Sequence, residues 1–355
     1  MDRQITTEEG ACFMAEKLRV AVVGVSKSMG ETHVKGVLNC SDAEIAAICD
    51  LDRDKLNDVG DRYGIPKEKR YTDWHELLKL GLDAVVVVIP DQQHRELCEA
   101  FLSAGCHVLC EKPLALKRED LEAIVHASDR SGRKFMVGQI ARFTPSFCKA
   151  KELVDTGVIG ELFYVESEYA HDYALLMDGC QKWRLDPLRH GVIGGGCHAV
   201  DLLRWIAGDP EEVFAYGNHK LLPQVTYDDA TIAVLKFPNG VIGKIFVSTG
   251  CKRPYSMRTL FYGTKGTIIC DNKSDHMELY TIGENGVSVN PVPEVIPVGV
   301  ASHNTKDEFA IFAEHIIHDT PVLLDARQGA KTIAACLAIV QSSMEDRPIK
   351  PDYQF

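Results

Sequence analysis

Leu18-Arg19-Val20-Ala21-Val22-Val23-Gly24 is a β-branched run that stops on a glycine, and a helical pattern starts near Gly30. A strand, a glycine turn and a helix in that order form the entrance of a dinucleotide site. There the backbone N–H groups and the helix N-terminus hold a pyrophosphate. The turn reads Gly24-Val25-Ser26-Lys27-Ser28-Met29-Gly30, which lacks the middle glycine of GxGxxG and offsets the first by one place. Its phosphate contacts are expected from Gly24, Ser26, Ser28, Met29 and Gly30.

The pattern repeats outward from there. Glu44-Ile45-Ala46-Ala47-Ile48-Cys49-Asp50 is a second strand that ends in an acid. A carboxylate at Asp50 accepts hydrogen bonds from ribose hydroxyls and repels a 2′-phosphate, so NAD is expected rather than NADP; Arg53 softens that preference. Asp83 to Ile89 is a continuous apolar strand of the kind buried on both faces of a parallel sheet. His107 to Cys110 and Phe135 to Gly138 follow as strands, with helical patterns at Lys55–Tyr63, Trp74–Leu80, His94–Gly105 and Leu121–Ser131 between them. Alternation of this kind predicts an α/β fold with a doubly wound parallel sheet. Its ligands lie beyond the carboxyl ends of the strands, which adds Ile89, Pro90, His94, Glu111 and Lys112 to the cofactor candidates.

The second half changes character. Glu161–Tyr169, Val213–Asn218, Ala230–Phe237, Val241–Thr249, Thr259–Gly263, Thr267–Asp271 and Met277–Tyr280 read as strands of one large open, mainly antiparallel sheet. Asn239-Gly240 supplies the positive-φ positions of a hairpin. Helices are expected at Ala199–Ile206, Asp307–His318 and Ala326–Ser343. Residues 1–17 read as an N-terminal extension, 18–140 as the dinucleotide-binding domain and 141–355 as a substrate-binding and oligomerisation domain.

Composition excludes several classes. Among 355 residues, 39 Lys and Arg against 51 Asp and Glu give a net charge of −12, which argues against nucleic acid or a polybasic membrane surface as partner. No apolar run approaches the ~18–20 residues needed to span a bilayer. The first residues, with Asp2, Glu8, Glu9 and Glu16, lack a basic start, so a cytoplasmic protein is expected. The 12 cysteines contain no CxxC pair and read as small buried hydrophobes in a reducing compartment; Cys197 is kept open. His171, Asp172, His190 and His198 show no tight metal-ligand spacing, and no metal is expected.

Several motifs carry a resemblance. Asp83-Ala84-Val85-Val86-Val87-Val88-Ile89-Pro90 is followed by His94, and His107-Val108-Leu109-Cys110-Glu111-Lys112-Pro113 comes next. Further on stand Arg142-Phe143-Thr144-Pro145, Trp183-Arg184, Gly194-Gly195-Gly196-Cys197-His198-Ala199-Val200-Asp201 and Tyr262-Gly263-Thr264-Lys265-Gly266-Thr267. Over about residues 18–350 the chain resembles the glucose–fructose oxidoreductase/inositol dehydrogenase family (Gfo/Idh/MocA). The resemblance implies a Rossmann domain followed by an open sheet used for homodimer or homotetramer assembly. It also implies hydride transfer between NAD(P) and a carbon bearing a hydroxyl, on sugars, cyclitols and their derivatives. Arg142 joins the cofactor set on this ground.

Oxidation of a secondary alcohol needs a hydride acceptor and a group that takes the hydroxyl proton. The resemblance gives these roles to Lys112, just past a strand end, and to His198, at a helix start after three glycines. Tyr169, His171, Asp172, Trp183, Arg184, Cys197 and His198 are the expected substrate lining, since hydroxyls take hydrogen bonds and sugar C–H faces stack on rings. Many family members have Asp-x-x-x-His at this histidine; here Gly194 takes the place of the aspartate. Asp172, Asp186, Asp178, Cys197 and His190 are the candidates to replace it. Two other readings are weighed against the dehydrogenase. One is transient ring oxidation of a glycoside on tightly held NAD, with no net redox change. The other is a cofactor-binding subunit without turnover.

Overall fold

The computed structural model describes residues 17–25, 28–178, 182–283, 286–299 and 308–355. Residues 1–16 of the expected N-terminal extension and Ser26 lie outside these, as do the side chains of Ser28 and Asp178. Two sheets organise the chain. The first contains β1 (Leu18–Val23), β2 (Ala43–Cys49), β3 (Arg70–Tyr71), β4 (Ala84–Val87), β5 (His107–Cys110) and β6 (Phe135–Val137) in the order β3-β2-β1-β4-β5-β6. Every pair in it is parallel. The reversal of strand order falls between β1 and β4, the crevice where doubly wound sheets take their ligands. The side chains of β4 are all buried, because α1 (Ser28–Asn39), α2 (Arg53–Arg62), α3 (His94–Ser103) and α4 (Arg118–Ser131) cover the sheet. Asp52 caps α2 by accepting from Lys55 N at 3.1 Å, and Gly132, at φ +63°, ends α4. The short helix read at Trp74–Leu80 is a 3-10 helix over Trp74–Lys79.

A 3-10 turn at Ile140–Phe143 and α5 (Pro145–Asp155) lead into the second sheet. That sheet contains β7 (Leu162–Ala170), β8 (Glu212–Asn218), β9 (Ala230–Lys236), β10 (Ile242–Ser248), β11 (Thr259–Gly263), β12 (Gly266–Cys270), β13 (His276–Thr281) and β14 (Glu294–Pro297). The order is β14-β13-β12-β11-β7-β10-β9-β8. All its pairs are antiparallel except β7 with β10, which run parallel. Short helices α6 (Ala174–Asp178) and α7 (Gly191–Gly194) precede α8 (Cys197–Ala207), which packs on β7 and β10. After α9 (Glu308–Ile317), α10 (Ala326–Glu345) lies on β8 but also touches α4 and β6, while α9 packs on α1. The last two helices therefore tie the second sheet back to the first. The β9–β10 hairpin forms, but with Gly240 alone at positive φ, +84°. Asn239 instead accepts from Val241 N through its side chain, so the paired positive-φ turn expected from Asn-Gly is not used.

The glycine loop is built on close approach. Gly24 has φ +95°, and a Cβ there would overlap the carbonyl of Val88 just past β4. A Cβ on Gly30 would overlap the carbonyl of Gly24. These two glycines seat α1 on the turn without the missing middle one. Gly24→Ala is expected to cost about 1–3 kcal/mol through strain, seen as a lower urea midpoint with unchanged slope; an unchanged midpoint would contradict this packing.

Candidate active site

Three strand ends and one helix start meet at the opening. Asp50 follows β2, and its Oδ1 accepts from Asp52 N at 3.0 Å. Past β4, Ile89 and Pro90 turn the chain into α3. His94, expected to touch the cofactor, is fully buried. Its Nε2 lies 3.1 Å from the Ile89 carbonyl, and its Nδ1 lies 3.1 and 3.2 Å from those of Pro113 and Leu114. Its ring joins the ends of β4 and β5 and so holds the loop that carries Lys112. The Lys112–Pro113 bond is cis. Met29 lies in the first turn of α1.

Arg142 is also committed to the protein. Its Nε and Nη2 donate to Asp201 at 2.7 and 2.8 Å, and Thr332 Oγ1 donates to the same carboxylate at 2.8 Å. Asp201 is fully buried on α8, three residues after His198. The fork thus fixes the start of α8, and with it His198, against the segment that follows β6.

The end of β7 supplies an aromatic wall. Tyr169 Oη lies 2.9 Å from Tyr173 Oη and 3.2 Å from His171 Nδ1. His198, itself buried, stacks on Tyr169 at 6.1 Å between ring centroids. Tyr255 closes on Tyr169 and His171 at 5.3 and 4.8 Å; sequence reading missed it, and nothing local marks it. Burial, followed by the charges of Lys112 and Arg184, pushes His171 down to about 4. His171 is therefore neutral at neutral pH. Burial raises Cys197 to about 11 despite Lys112 and Arg189 nearby, so it stays a thiol. Lys112 thus acts on both His171 and the immediate neighbour of His198.

Each of the three glycines before Cys197 makes room for something. A Cβ on Gly195 would overlap the Tyr169 ring and press on the Tyr173 hydroxyl, and one on Gly196 would press on Val247 and Val192. At Gly194 the space is taken by the guanidinium of Arg189. Arg189 Nε donates to Asp91 at 2.5 Å, both side chains being buried. Of the expected substitutes for the absent aspartate, Asp172, Asp186 and His190 have other partners, and the side chain of Asp178 lies outside the described residues. Asp172 accepts from Ala174 N and pairs with Lys252, and Asp186 takes Gln92 Nε2 and Leu188 N. His190 lies 5.8 Å from Tyr227, ring to ring. Asp91 and Arg189 went unread because neither has a recognisable spacing; only the fold brings them together.

A second unread cluster lies beneath the loop. His33 Nε2 is 2.9 Å from Glu111 Oε1, and Lys112 N donates to Glu111 Oε2 at 3.1 Å. Glu308, fully buried on α9, has no hydrogen-bond partner for either oxygen among the described residues. One ligand atom from each of His33, Glu111 and Glu308 lies within 4.8 Å of the others. His171, Asp172, His190 and His198 form no such group among the described residues. Burial, with Glu111 adding to it against the pull of His33, raises Glu308 to about 8.

The family models match the two halves. An oxidoreductase-family NAD-binding Rossmann model covers residues 18–139, and a GFO/IDH/MocA C-terminal domain model covers 147–269. The chain belongs to the Gfo/Idh/MocA oxidoreductases. It is 31% identical over 266 residues to a Thermotoga maritima myo-inositol 2-dehydrogenase, covering 72% of this chain and 75% of that one. It is 27% identical to a D-apiose dehydrogenase of Rhizobium rhizogenes, over 77% of this chain and 79% of that one. A levoglucosan dehydrogenase in complex with NADH shares the fold at TM-score 0.85 and 20% identity, covering 95% of this chain and 100% of that one. The family is one of NAD-binding oxidoreductases, and the Gly24–Gly30 cradle with Asp50 beyond β2 fits that cofactor. No helix of the described residues is long and apolar enough to cross a membrane.

The buried cluster gives a pH signature. Glu308 is raised in the fold from a carboxylate's 4.5 to about 8. Its contribution to stability is therefore full below about 4.5 and is lost as pH rises to about 8. Glu308→Gln keeps the neutral shape without that loss. The melting temperature of the variant relative to wild type should rise between pH 5 and 8 and level off above; a pH-independent difference would contradict the burial of an ionisable Glu308.

Proposed function

We propose that this oxidoreductase removes hydride from a secondary hydroxyl carbon of a sugar, cyclitol or sugar derivative. The observation that supports the reading is that the charge of Lys112, past β5, reaches His171 and Cys197, the residue before His198 at the start of α8, where His198 stacks on the ring wall of Tyr169, His171 and Tyr173. NAD, when bound, supplies the hydride acceptor. Gly24, Met29 and Gly30 with Ser26 and Ser28 shape its phosphate site, and Asp50 takes the ribose hydroxyls. Ile89, Pro90 and Glu111 frame the opening.

In this reading His198 accepts the hydroxyl proton as the C–H bond breaks. Lys112 stabilises the negative charge that develops on oxygen, as a fixed cation in a partly dry site does most effectively. Tyr169, His171, Asp172, Trp183, Arg184 and Cys197 line the substrate side, with ring faces for sugar C–H groups and polar atoms for hydroxyls. The outer face of the second sheet exposes Tyr216, Ile232, Val234 and Ile242. That apolar row is proposed to pack on a second copy of the chain in a homodimer or homotetramer.

Lys112→Ala should lower kcat by about 100-fold or more with little change in NAD affinity, measured by steady-state kinetics and by cofactor titration; retained turnover would remove Lys112 from the chemistry. Asp50→Ala should weaken NAD far more than NADP in the same titration. Equal losses would contradict the ribose contact.

A further inference from the structure

The charges around the proposed substrate pocket do not balance. Lys112 and Arg184 form no ion pair among the described residues; the carboxylates whose charge reaches them, Glu111 and Asp91, are held by His33 and Arg189. Asp91 receives Arg189, Asp172 pairs with Lys252, Asp186 holds Gln92, and Asp201 holds Arg142. At Gly194 the chain offers no side chain, and the Arg189 guanidinium occupies the space.

Arg184 is held in place. Its guanidinium stacks on Trp183 at 4.4 Å, and Arg189 lies over the same ring at 4.8 Å. Tyr227 Oη donates to the Arg184 carbonyl at 3.2 Å, and Gln92 Nε2 donates to the Trp183 carbonyl at 3.1 Å. Arg184 is partly buried, so its charge is only partly repaid by water. His171 is held low first by burial and then by the charges of Lys112 and Arg184, which places both cations close to the ring wall.

Building on the dehydrogenase reading, we propose that the substrate carries a carboxylate which Arg184 receives, so that the enzyme acts on a sugar acid. The dehydrogenase reading accounts for Lys112 at the reacting oxygen, but a neutral sugar leaves Arg184 without a counterion. A carboxylate neutralises Arg184 and matches its planar guanidinium fork with two parallel hydrogen bonds. Arg184, braced by Trp183, selects the acid; Lys112 keeps its role at the reacting oxygen. Arg189, bound to Asp91, fills the space at Gly194, where an acid would repel the substrate.

The test compares aldonic and uronic acids with neutral polyols of the same carbon skeleton, using the NAD-loaded full chain and reading NADH formation. The acids should be preferred in kcat/KM by about 10- to 100-fold, the worth of hydrogen bonds to a charged partner. Arg184→Gln should lower the acid-over-neutral ratio by about the same factor, and Arg184→Lys should restore part of it. Gly194→Asp should lower the ratio as well. Calorimetric titration of the NADH-loaded enzyme with the acids should give binding that weakens in Arg184→Gln. Preference for neutral polyols or for sugar phosphates, or a ratio unchanged in Arg184→Gln, would overturn the proposal. NADH formation from neutral polyols alone would sink the acid and leave the dehydrogenase reading standing. If no compound yields NADH, that reading fails, and acid binding to the NADH-loaded enzyme still decides the charge argument.

Discussion

The buried fork between Arg142 and Asp201 sets the relation between the two halves of the site. Asp201 sits on α8 with His198, Arg142 follows β6 of the parallel sheet, and Thr332 of α10 donates to the same carboxylate. Breaking a buried pair from one side costs about 3–5 kcal/mol, because the remaining charge is left without water or partner. This joint fixes the helix that carries His198 to the segment after β6. On the other side His94 performs the matching task, fixing the Lys112 loop to the end of β4 through backbone carbonyls.

Between those joints the site is shaped by missing side chains. Gly24 and Gly30 let α1 settle on the turn, Gly195 lets Tyr169 and Tyr173 pack together, and Gly194 leaves room for Arg189. The last of these changes the sign of the local charge. The place four residues before the histidine, where the family resemblance implies an acid, is here filled by a guanidinium whose own counterion, Asp91, follows β4 of the parallel sheet. In the proposed mechanism His198 therefore lacks a carboxylate at that place, and the Tyr169–His171–Tyr173 hydroxyl and imidazole chain is its polar surrounding.

Most strands, the parallel character of the first sheet and the strand-end positions of Asp50 and Lys112 were legible, because buried strands show as unbroken apolar runs and ligands gather at their carboxyl ends; the short edge strands β3 and β14 were not. His198 was legible from the glycines before an apolar helix. His94 and Arg142 were read as cofactor contacts from their place in motifs; both His94 nitrogens lie against backbone carbonyls, and Arg142 gives Nε and Nη2 to Asp201. Their partners, the Ile89 and Pro113 carbonyls and Asp201, are visible only in three dimensions. Glu308 and His33 meet Glu111 across 197 and 78 residues, and no local pattern encodes such distances. The Asn239-Gly240 hairpin was legible as a turn but not as a turn type, since Asn239 bonds Val241 instead of adopting positive φ.

Substrate deuterated at the reacting carbinol carbon tests the central claim most directly, with the mass of the cofactor read after turnover. Hydride transfer to a net product predicts deuterium in NADH, one per substrate oxidised. Deuterium that returns to a rearranged glycoside, with no NADH accumulating, would contradict a net dehydrogenase and place the chain among enzymes that oxidise their substrate only in passing.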